Sequence, residues 1–180
     1  MSFIKNDTPI PGCFELLPNV HKDKRGTFVK IFHAPGFKKL GLEGTFTEEF
    51  YSVSAKGVLR GLHFQTPPAA HIKLVCCLEG EVLDAVLDLR KRSRTYGKAF
   101  TLNLNAEKSN MLYIPKGCAH GFYSLSAKPL MLYRTSTVHS VENDAGILWS
   151  SAGIKWPGGK PLISPRDAAF PELRDFTSPF

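Results

Sequence analysis

The sequence predicts an all-β fold, a sandwich or a barrel. Short apolar or alternating runs recur between Gly, Pro, Asn and Ser residues, a pattern typical of short strands joined by turns and not of alternating strand and helix units. The clearest run places Phe100, Leu102 and Leu104 on one strand face and Thr101 and Asn103 on the other. One face of this strand is therefore expected to be dry and the other wet.

The elements follow from the same punctuation. Strands are predicted at residues 26–32, 45–54, 58–64, 71–79, 81–89, 99–104, 110–114, 121–126, 130–135 and 146–149, and one short helix is predicted at residues 35–40. Gly80 separates two apolar runs, which predicts a hairpin over residues 73–89. From residue 157 to 180 frequent Gly and Pro residues predict an irregular segment packed on a single domain that covers residues 1–180.

Composition narrows the class of protein. With 180 residues, of which 43% are hydrophobic, the chain is long enough for one well-formed core. A formal net charge of +7 attracts anions, but the cations are scattered and form neither a basic stripe nor a helix-turn-helix motif. A small phosphorylated ligand therefore fits the chain better than a nucleic acid.

The compartment is expected to be the cytoplasm. The four cysteines lack the paired spacing of a zinc site, so we expect reduced and mostly buried thiols. The first residues lack the apolar stretch of a signal peptide, and no window has the length of uncharged apolar residues that a membrane span requires. No contact with a membrane is expected.

Residues 57–65 place a cation and a titratable ring inside an apolar, strand-like run. Simple alternation puts Leu59, Gly61 and His63 on one face, which predicts that His63 points into the interior, with Arg60 beside it. An imidazole in such a position is a hydrogen-bonded core residue, a metal ligand or a general base.

Three further polar residues lie in strand-like runs. Alone, His120 reads most simply as a satisfied core histidine, and Tyr133 as a core aromatic with its hydroxyl at the rim. Lys73 is harder to dismiss, because a buried and unpaired ammonium group is costly. It either reaches solvent at a strand end or faces an anion.

A metal site is the alternative to a general base. Residues 115–120 resemble the second motif of the cupins, in which a turn delivers a histidine into a β-barrel. Zinc and iron sites generally need three protein ligands, whereas only His63 and His120 are firm candidates here. His71 or Glu79 could complete a set, but we expect neither a metal nor another cofactor.

Several short motifs together resemble the dTDP-4-dehydrorhamnose 3,5-epimerase family, a metal-free branch of the cupins. The likeness runs in order from about residue 23 to residue 167. The motifs are RGLHFQ at 60–65, KLV at 73–75, GEV at 80–82, DLR at 88–90, IPKG at 114–117, AHGF at 119–122, LY at 132–133 and GILW at 146–149. This resemblance implies a jelly-roll barrel with a few short peripheral helices, a homodimer, and inversion of C3, C5 or both in a nucleotide-linked 4-keto-6-deoxyhexose.

The resemblance also implies catalytic roles. A carbon next to a ketone loses its proton only if a base takes it while a cation holds the enolate oxygen. By the family pattern His63 is the base, Asp167 orients it, Lys73 holds the enolate oxygen with His120 close by, and Tyr133 returns a proton from the opposite face.

Further residues match the family's ligand-binding positions. Arg25 and Arg60 correspond to arginines on the diphosphate, and Phe28 to an aromatic that covers the ligand. Glu48, Phe50 and His139 stand at ligand positions where the family usually has other residues. The nucleotide could therefore be dTDP, CDP or GDP, because a changed set of polar groups changes which ligand is accepted.

Two competing functions stay open at this point. One is another enzyme class, either a cupin ketoisomerase that moves the carbonyl between C3 and C4 or a metal-dependent cupin. The other is a sugar-nucleotide binding protein without activity, although a binder has no use for a base and an acid so placed.

Overall fold

The computed structural model describes residues 3–180 and confirms the all-β jelly-roll prediction. The strands are β1 (Phe3–Asp7), β2 (Phe14–Pro18), β3 (Val20–Asp23), β4 (Gly26–Val29), β5 (Glu48–Val53), β6 (Leu59–Gln65), β7 (Lys73–Glu79), β8 (Glu81–Asp88), β9 (Ala99–Asn105), β10 (Met111–Ile114), β11 (Cys118–Ser124), β12 (Leu130–Thr135) and β13 (Asp144–Gly146). The helices are α1 (Ala34–Lys39) and α2 (Pro165–Ala168), with 3-10 turns at Val141–Asn143 and Leu173–Asp175.

Two sheets form the body. One has six strands in the order β1-β2-β10-β7-β12-β5, the other has five in the order β13-β6-β11-β8-β9, and β3 and β4 form a separate two-stranded hairpin. Alternating residues of both sheets meet between them, with Val75 and Met131 from the first packing with Val82, Val86 and Phe122 from the second. This contact between the sheets is the main core.

The five-stranded sheet also has a covered outer face. Leu62 and Phe64 of β6 and Leu87 of β8 are buried on the outer face of the five-stranded sheet, under the C-terminal segment. The ring of Phe64 contacts Phe176 and Phe180 edge to face, with centroids 5.4 and 5.9 Å apart. Irregular as it is, this segment shields one face of the sheet that carries His63.

The predicted hairpin over residues 73–89 is wrong. β7 pairs with β10 and β12, whereas β8 pairs with β11 and β9 in the other sheet. The chain turns a corner between the sheets at Gly80, which has φ +76° and no room for a side chain, since an added Cβ would lie 2.2 Å from Ser126 Oγ. A single glycine thus joins strands of different sheets.

Other boundaries differ as well. The strand predicted at 146–149 lies at Asp144–Gly146 instead, because Ser151 N–H bonds to the Leu148 carbonyl and closes a turn. The strands β1, β2 and β3 are absent from the sequence prediction, while the helix predicted at 35–40 is present as α1. No helix within residues 3–180 has the length and apolar character to cross a bilayer.

Candidate active site

A bulge in β6 sets the geometry of the site. His120 of β11 pairs with His63, and Phe122 pairs with Arg60, so between these pairs two residues of β6 stand opposite one residue of β11. Arg60 and His63 therefore share a face, and the prediction that Leu59, Gly61 and His63 share one is wrong. Simple alternation fails wherever a strand carries an extra residue.

Close approach of the two strands requires glycine at this point. An added Cβ on Gly61, which has φ +131°, would lie 2.6 Å from Gly121 Cα, and one on Gly121 would lie 2.7 Å from the Arg60 carbonyl oxygen. Both glycines stand inside the motifs RGLHFQ and AHGF. The glycines of these motifs therefore allow the close approach of β6 and β11 that places His63 beside His120.

His63 is held by Asp167 from the C-terminal segment. His63 Nε2 lies 2.9 Å from Asp167 Oδ1, and Gly61 N–H donates to Asp167 Oδ2 at 3.0 Å. Asp167 lies in the first turn of α2, where its own N–H donates to the Ser164 hydroxyl at 3.1 Å. The buried carboxylate thus ties the segment to the active strand.

These contacts fix the state of the His63 ring. Burial alone would raise the pKa of Asp167, but hydrogen bonds from His63, Gly61 and Ser164 lower it to about 2, so the carboxylate only accepts. The ring proton of neutral His63 is therefore on Nε2, which leaves a lone pair on Nδ1. Burial lowers the pKa of His63 below 6.5, although Asp167 acts in the opposite direction.

An aromatic ring fixes His63 from the side. Phe170 contacts the His63 ring edge to face, with centroids 5.7 Å apart. Gly146 makes room for it, because a Cβ there would lie 2.3 Å from the Phe170 ring. This explains a glycine at the point where β13 pairs with His63.

Lys73 lies on the facing sheet and reaches the active strand. Its ammonium group donates to the His63 carbonyl at 3.1 Å. Burial lowers the pKa of Lys73 to about 8, with Asp144 and Asp84 acting in the opposite direction, so the group is still mostly charged at neutral pH. Within the described residues, this half-buried cation has one hydrogen bond, to a backbone carbonyl, and is therefore able to accept an anion as well.

Tyr133 comes from β12 of the same facing sheet. Its ring stacks on Phe50 with centroids 4.8 Å apart, and its hydroxyl lies 3.2 Å from Ser52 Oγ. Burial raises the pKa of Tyr133 well above its usual value, so the phenol keeps its proton. The ring also meets His120 edge to face at 6.1 Å.

His120 is paired with a residue that the sequence analysis missed. His120 Nε2 lies 2.8 Å from Asp84 Oδ2, and both side chains are buried. Burial raises the pKa of Asp84, with His120 acting in the opposite direction. The signal was present, since Asp84 stands between Val82 and Val86 on one strand face, where a carboxylate needs a partner.

A cavity of about 160 Å³ opens beside these groups. The residues that line it are Glu48, Phe50, His63, Phe64, Gln65, His71, Lys73, Thr135, His139, Asp144 and Arg166. Asp144 Oδ2 accepts from Arg166 Nη1 at 2.9 Å, and Glu48 accepts from the His139 backbone N–H at 2.6 Å.

The cavity thus brings together Glu48, Phe50, His63, Lys73 and His139 of the residues predicted from the sequence. Asp167, His120 and Tyr133 join this group through direct contacts with it. Arg60 lies on the same face as His63 and donates to Ser54 Oγ at 3.0 Å.

Arg25 and Phe28 lie elsewhere. Both are on the hairpin of β3 and β4, Arg25 pairs with Asp23, and the Phe28 side chain is exposed. They border a separate surface hollow and do not line the cavity beside His63. Within one chain, these two residues are not brought to the site.

The donor set also bears on the metal alternative. Among residues 3–180, no group of three or more His, Cys, Asp or Glu side chains is arranged to hold a metal ion. His63 and His120 each spend Nε2 on a carboxylate, and His71 Nδ1 faces the Gln65 amide. The residues present do not fit a metal centre.

Comparison with known proteins agrees with this architecture. The family model for dTDP-4-dehydrorhamnose 3,5-epimerase matches residues 7–175. A protein of that name from Shigella flexneri is 44% identical over 170 residues, covering 93% of each chain.

Solved structures extend the comparison. An epimerase from Legionella pneumophila in complex with dTDP-4-keto-L-rhamnose superposes with a TM-score of 0.93 at 35% identity, covering 97% of this chain and 95% of that one. A 3'-monoepimerase from Streptomyces bikiniensis in complex with dTDP-quinovose gives 0.89 at 28% identity, covering 94% and 87%. By the match along nearly its whole length, the chain belongs to the dTDP-4-dehydrorhamnose 3,5-epimerase family.

Proposed function

We propose that this protein inverts C3, C5 or both of a nucleotide-diphosphate 4-keto-6-deoxyhexose by removing and returning a proton next to the ketone. The observation that carries the proposal is the placement of a base and an acid on different sheets. His63, with a free lone pair on Nδ1, comes from the five-stranded sheet, and Tyr133, with a retained proton, comes from the six-stranded sheet. Inversion of a carbon needs a base on one side and an acid on the other.

The first step is proton removal. His63 Nδ1 takes the proton from the carbon beside the ketone, and the electron pair moves to the ketone oxygen to form an enolate. Asp167 stabilises the resulting imidazolium through the bond to Nε2. The enolate oxygen lies at the Lys73 ammonium, where a fixed positive charge lowers the energy of the developing anion.

The second step is proton return. Tyr133 gives its hydroxyl proton to the same carbon from the opposite face, which inverts the centre. The phenolate then regains a proton from solvent and His63 releases its own. Hydrogen from solvent is thus incorporated at each inverted carbon, and no cofactor takes part in the balance.

The nucleotide end of the ligand is assigned to a second copy of the chain. β5 is an edge strand beside the cavity, and its Tyr51 and Val53 side chains are exposed. In the proposed two-fold homodimer, the β3–β4 hairpin of one copy would supply Arg25 and Phe28 to the cavity of the other. Arg60 of the first copy then meets the same diphosphate.

The main test is solvent exchange with candidate substrates. The protein is incubated in deuterium oxide with dTDP-, CDP- and GDP-linked 4-keto-6-deoxyglucose, and NMR locates the deuterium. We expect label at C3, C5 or both for one nucleotide, without added metal. Absence of label with all three would refute the proposal, and migration of the carbonyl to C3 would favour a ketoisomerase.

The homodimer has its own test. Variants His63→Asn and Arg25→Ala are assayed separately and after mixing under conditions that exchange subunits. If each site uses residues of both copies, the hybrid dimer has one intact site, and a random mixture regains about one quarter of wild-type activity. No gain on mixing, with hybrid dimers present by mass spectrometry, would show that each chain forms its site alone.

A further inference from the structure

His71 lies on the cavity wall and has no part in the mechanism above. It precedes Lys73, the first residue of β7, by two positions, and both residues line the cavity beside His63. Groups two residues apart along an extended chain point to the same side. The imidazole of His71 and the ammonium of Lys73 are therefore neighbours on one wall.

Gln65 fixes the tautomer of His71. The Gln65 Oε1 accepts from Ser140 N–H at 2.6 Å, and its Nε2 donates to the Ala69 carbonyl at 2.9 Å, so the amide has one orientation. The same NH₂ group lies 3.1 Å from His71 Nδ1 and can only donate. His71 Nδ1 is therefore an acceptor, and the ring proton is on Nε2.

The Nε2–H of His71 is left without a partner among the residues that the structure describes, although the atom is buried. Buried donors in folded proteins are nearly always satisfied, so an orphan donor on a ligand cavity points to the ligand. Burial lowers the pKa of His71 to about 3, helped by the charges of Lys73 and His139, and the ring stays neutral at working pH.

We propose that His71 Nε2–H is a second donor, beside Lys73, to the ketone oxygen that becomes the enolate. The inference rests on the proposed function. A neutral donor adds a hydrogen bond to the developing anion without repelling the ammonium group. His71 stays neutral throughout and transfers no proton. Its bond strengthens as negative charge grows on the oxygen, so it acts on kcat.

The test compares two amides at position 71. In His71→Gln the amide nitrogen stands about where Nε2 stood, whereas His71→Asn is shorter by a methylene group and falls short of the oxygen. We expect His71→Asn to lower kcat about a hundredfold with unchanged affinity for dTDP, and His71→Gln to recover at least about tenfold of that loss. His71→Leu keeps the bulk without a donor and should match His71→Asn, so a folding failure of one leaves the other to decide.

A matched control comes from His33, whose Nδ1 is also buried and unpartnered within the described chain but lies at the start of α1, away from the cavity. His33→Asn should leave kcat unchanged. Equal activity of all His71 variants, equal loss in Asn and Gln, or a rise in KM with unchanged kcat would each overturn the inference. Wild-type exchange is measured first: its absence refutes the proposed function, whereas its presence with unaffected His71 variants refutes this inference alone.

Discussion

The site contains two histidine–carboxylate pairs of nearly equal length in opposite environments. His63–Asp167 lies at the cavity, and its carboxylate also accepts from Gly61 N–H. His120–Asp84 is sealed between the sheets, and Asp84 Oδ1 has no partner among the described residues. The pKa is lowered for Asp167, where hydrogen bonds outweigh burial, and raised for Asp84, where burial dominates.

This difference in environment suits the two histidine–carboxylate pairs to different roles. A carboxylate with several donors stays charged and supports an imidazolium, so His63 is equipped to accept a proton. Burial raises the pKa of the Asp84 carboxyl, which has one donor, so it is less suited than Asp167 to stabilise a new positive charge, and we expect His120–Asp84 to act only as polar support near Lys73. The number of donors around the carboxylate separates the two roles.

The same substitution at both imidazoles gives the largest expected contrast. His63→Asn should lower the rate of deuterium exchange into the ketosugar by about a thousandfold, because the base is gone. His120→Asn should cost no more than about a hundredfold, since it removes polar support but no base. The exchange rate is followed by NMR, with dTDP affinity as the folding control. A larger loss of exchange rate in His120→Asn than in His63→Asn would contradict the assignment of His63 as the base.

Asp167→Asn probes the tautomer and should cost about a hundredfold in exchange rate. Gly61 N–H will hold the amide oxygen, so the NH₂ group faces His63 Nε2 and drives the ring proton to Nδ1, where the base is needed. Loss of the carboxylate also lowers the pKa of His63, so the acid limb of the remaining activity moves to lower pH. A loss below about fivefold, or a limb that moves upward, would contradict this account.

Acid unfolding should reveal the lowered pKa of Asp167 as a loss of stability at low pH. The pKa of Asp167 is lowered from 3.8 to about 2, so its contribution is present above pH 3.8 and is lost as pH falls through 2. Over this pH window the free energy of unfolding of the wild type should fall by about 2 kcal/mol relative to that of Asp167→Asn. Denaturant unfolding at several pH values measures it. Parallel pH curves for the two proteins would show that the carboxylate is not stabilised in the fold.

The smallest effect is expected at the sealed pair. Asp84→Asn keeps a bond to His120 Nε2 and removes a carboxylate whose pKa is raised by burial. The free energy of unfolding at pH 7 should change by less than about 1 kcal/mol. Asp84→Ala leaves Nε2 unpaired and should lose about 3 kcal/mol. Equal losses for both variants would mean that the negative charge itself is needed.

The sequence predicts much of the fold because strand periodicity and turn residues are local signals. The predicted hairpin at Gly80 is wrong, because a glycine between two strands gives the same local pattern whether the strands pair with each other or belong to different sheets. The shared face of Arg60 and His63 was also beyond periodicity. It depends on a bulge in β6, at the point where Gly61 lies close to Gly121 of β11, a strand that is a neighbour in the sheet but distant in sequence.

Contacts between distant residues are the part that a single sequence leaves open. His63 and Asp167 are 104 positions apart, and only folding brings them within hydrogen-bond distance. The sequence indicates that Asp84 needs a partner, because it is a carboxylate between Val82 and Val86 on one strand face. It does not indicate that this partner is His120. Arg25 and Phe28 match family positions, yet the fold of one chain places them on a separate hairpin.

In the proposed mechanism a base and an acid reach the sugar from different sheets, and Tyr133→Phe tests this placement most directly. The variant is incubated with the ketosugar in deuterium oxide, and NMR reports both the label and the configuration of the labelled carbon. We expect His63 still to exchange the proton, with deuterium entering on the original face and the configuration retained. Inversion at the wild-type rate would contradict the account.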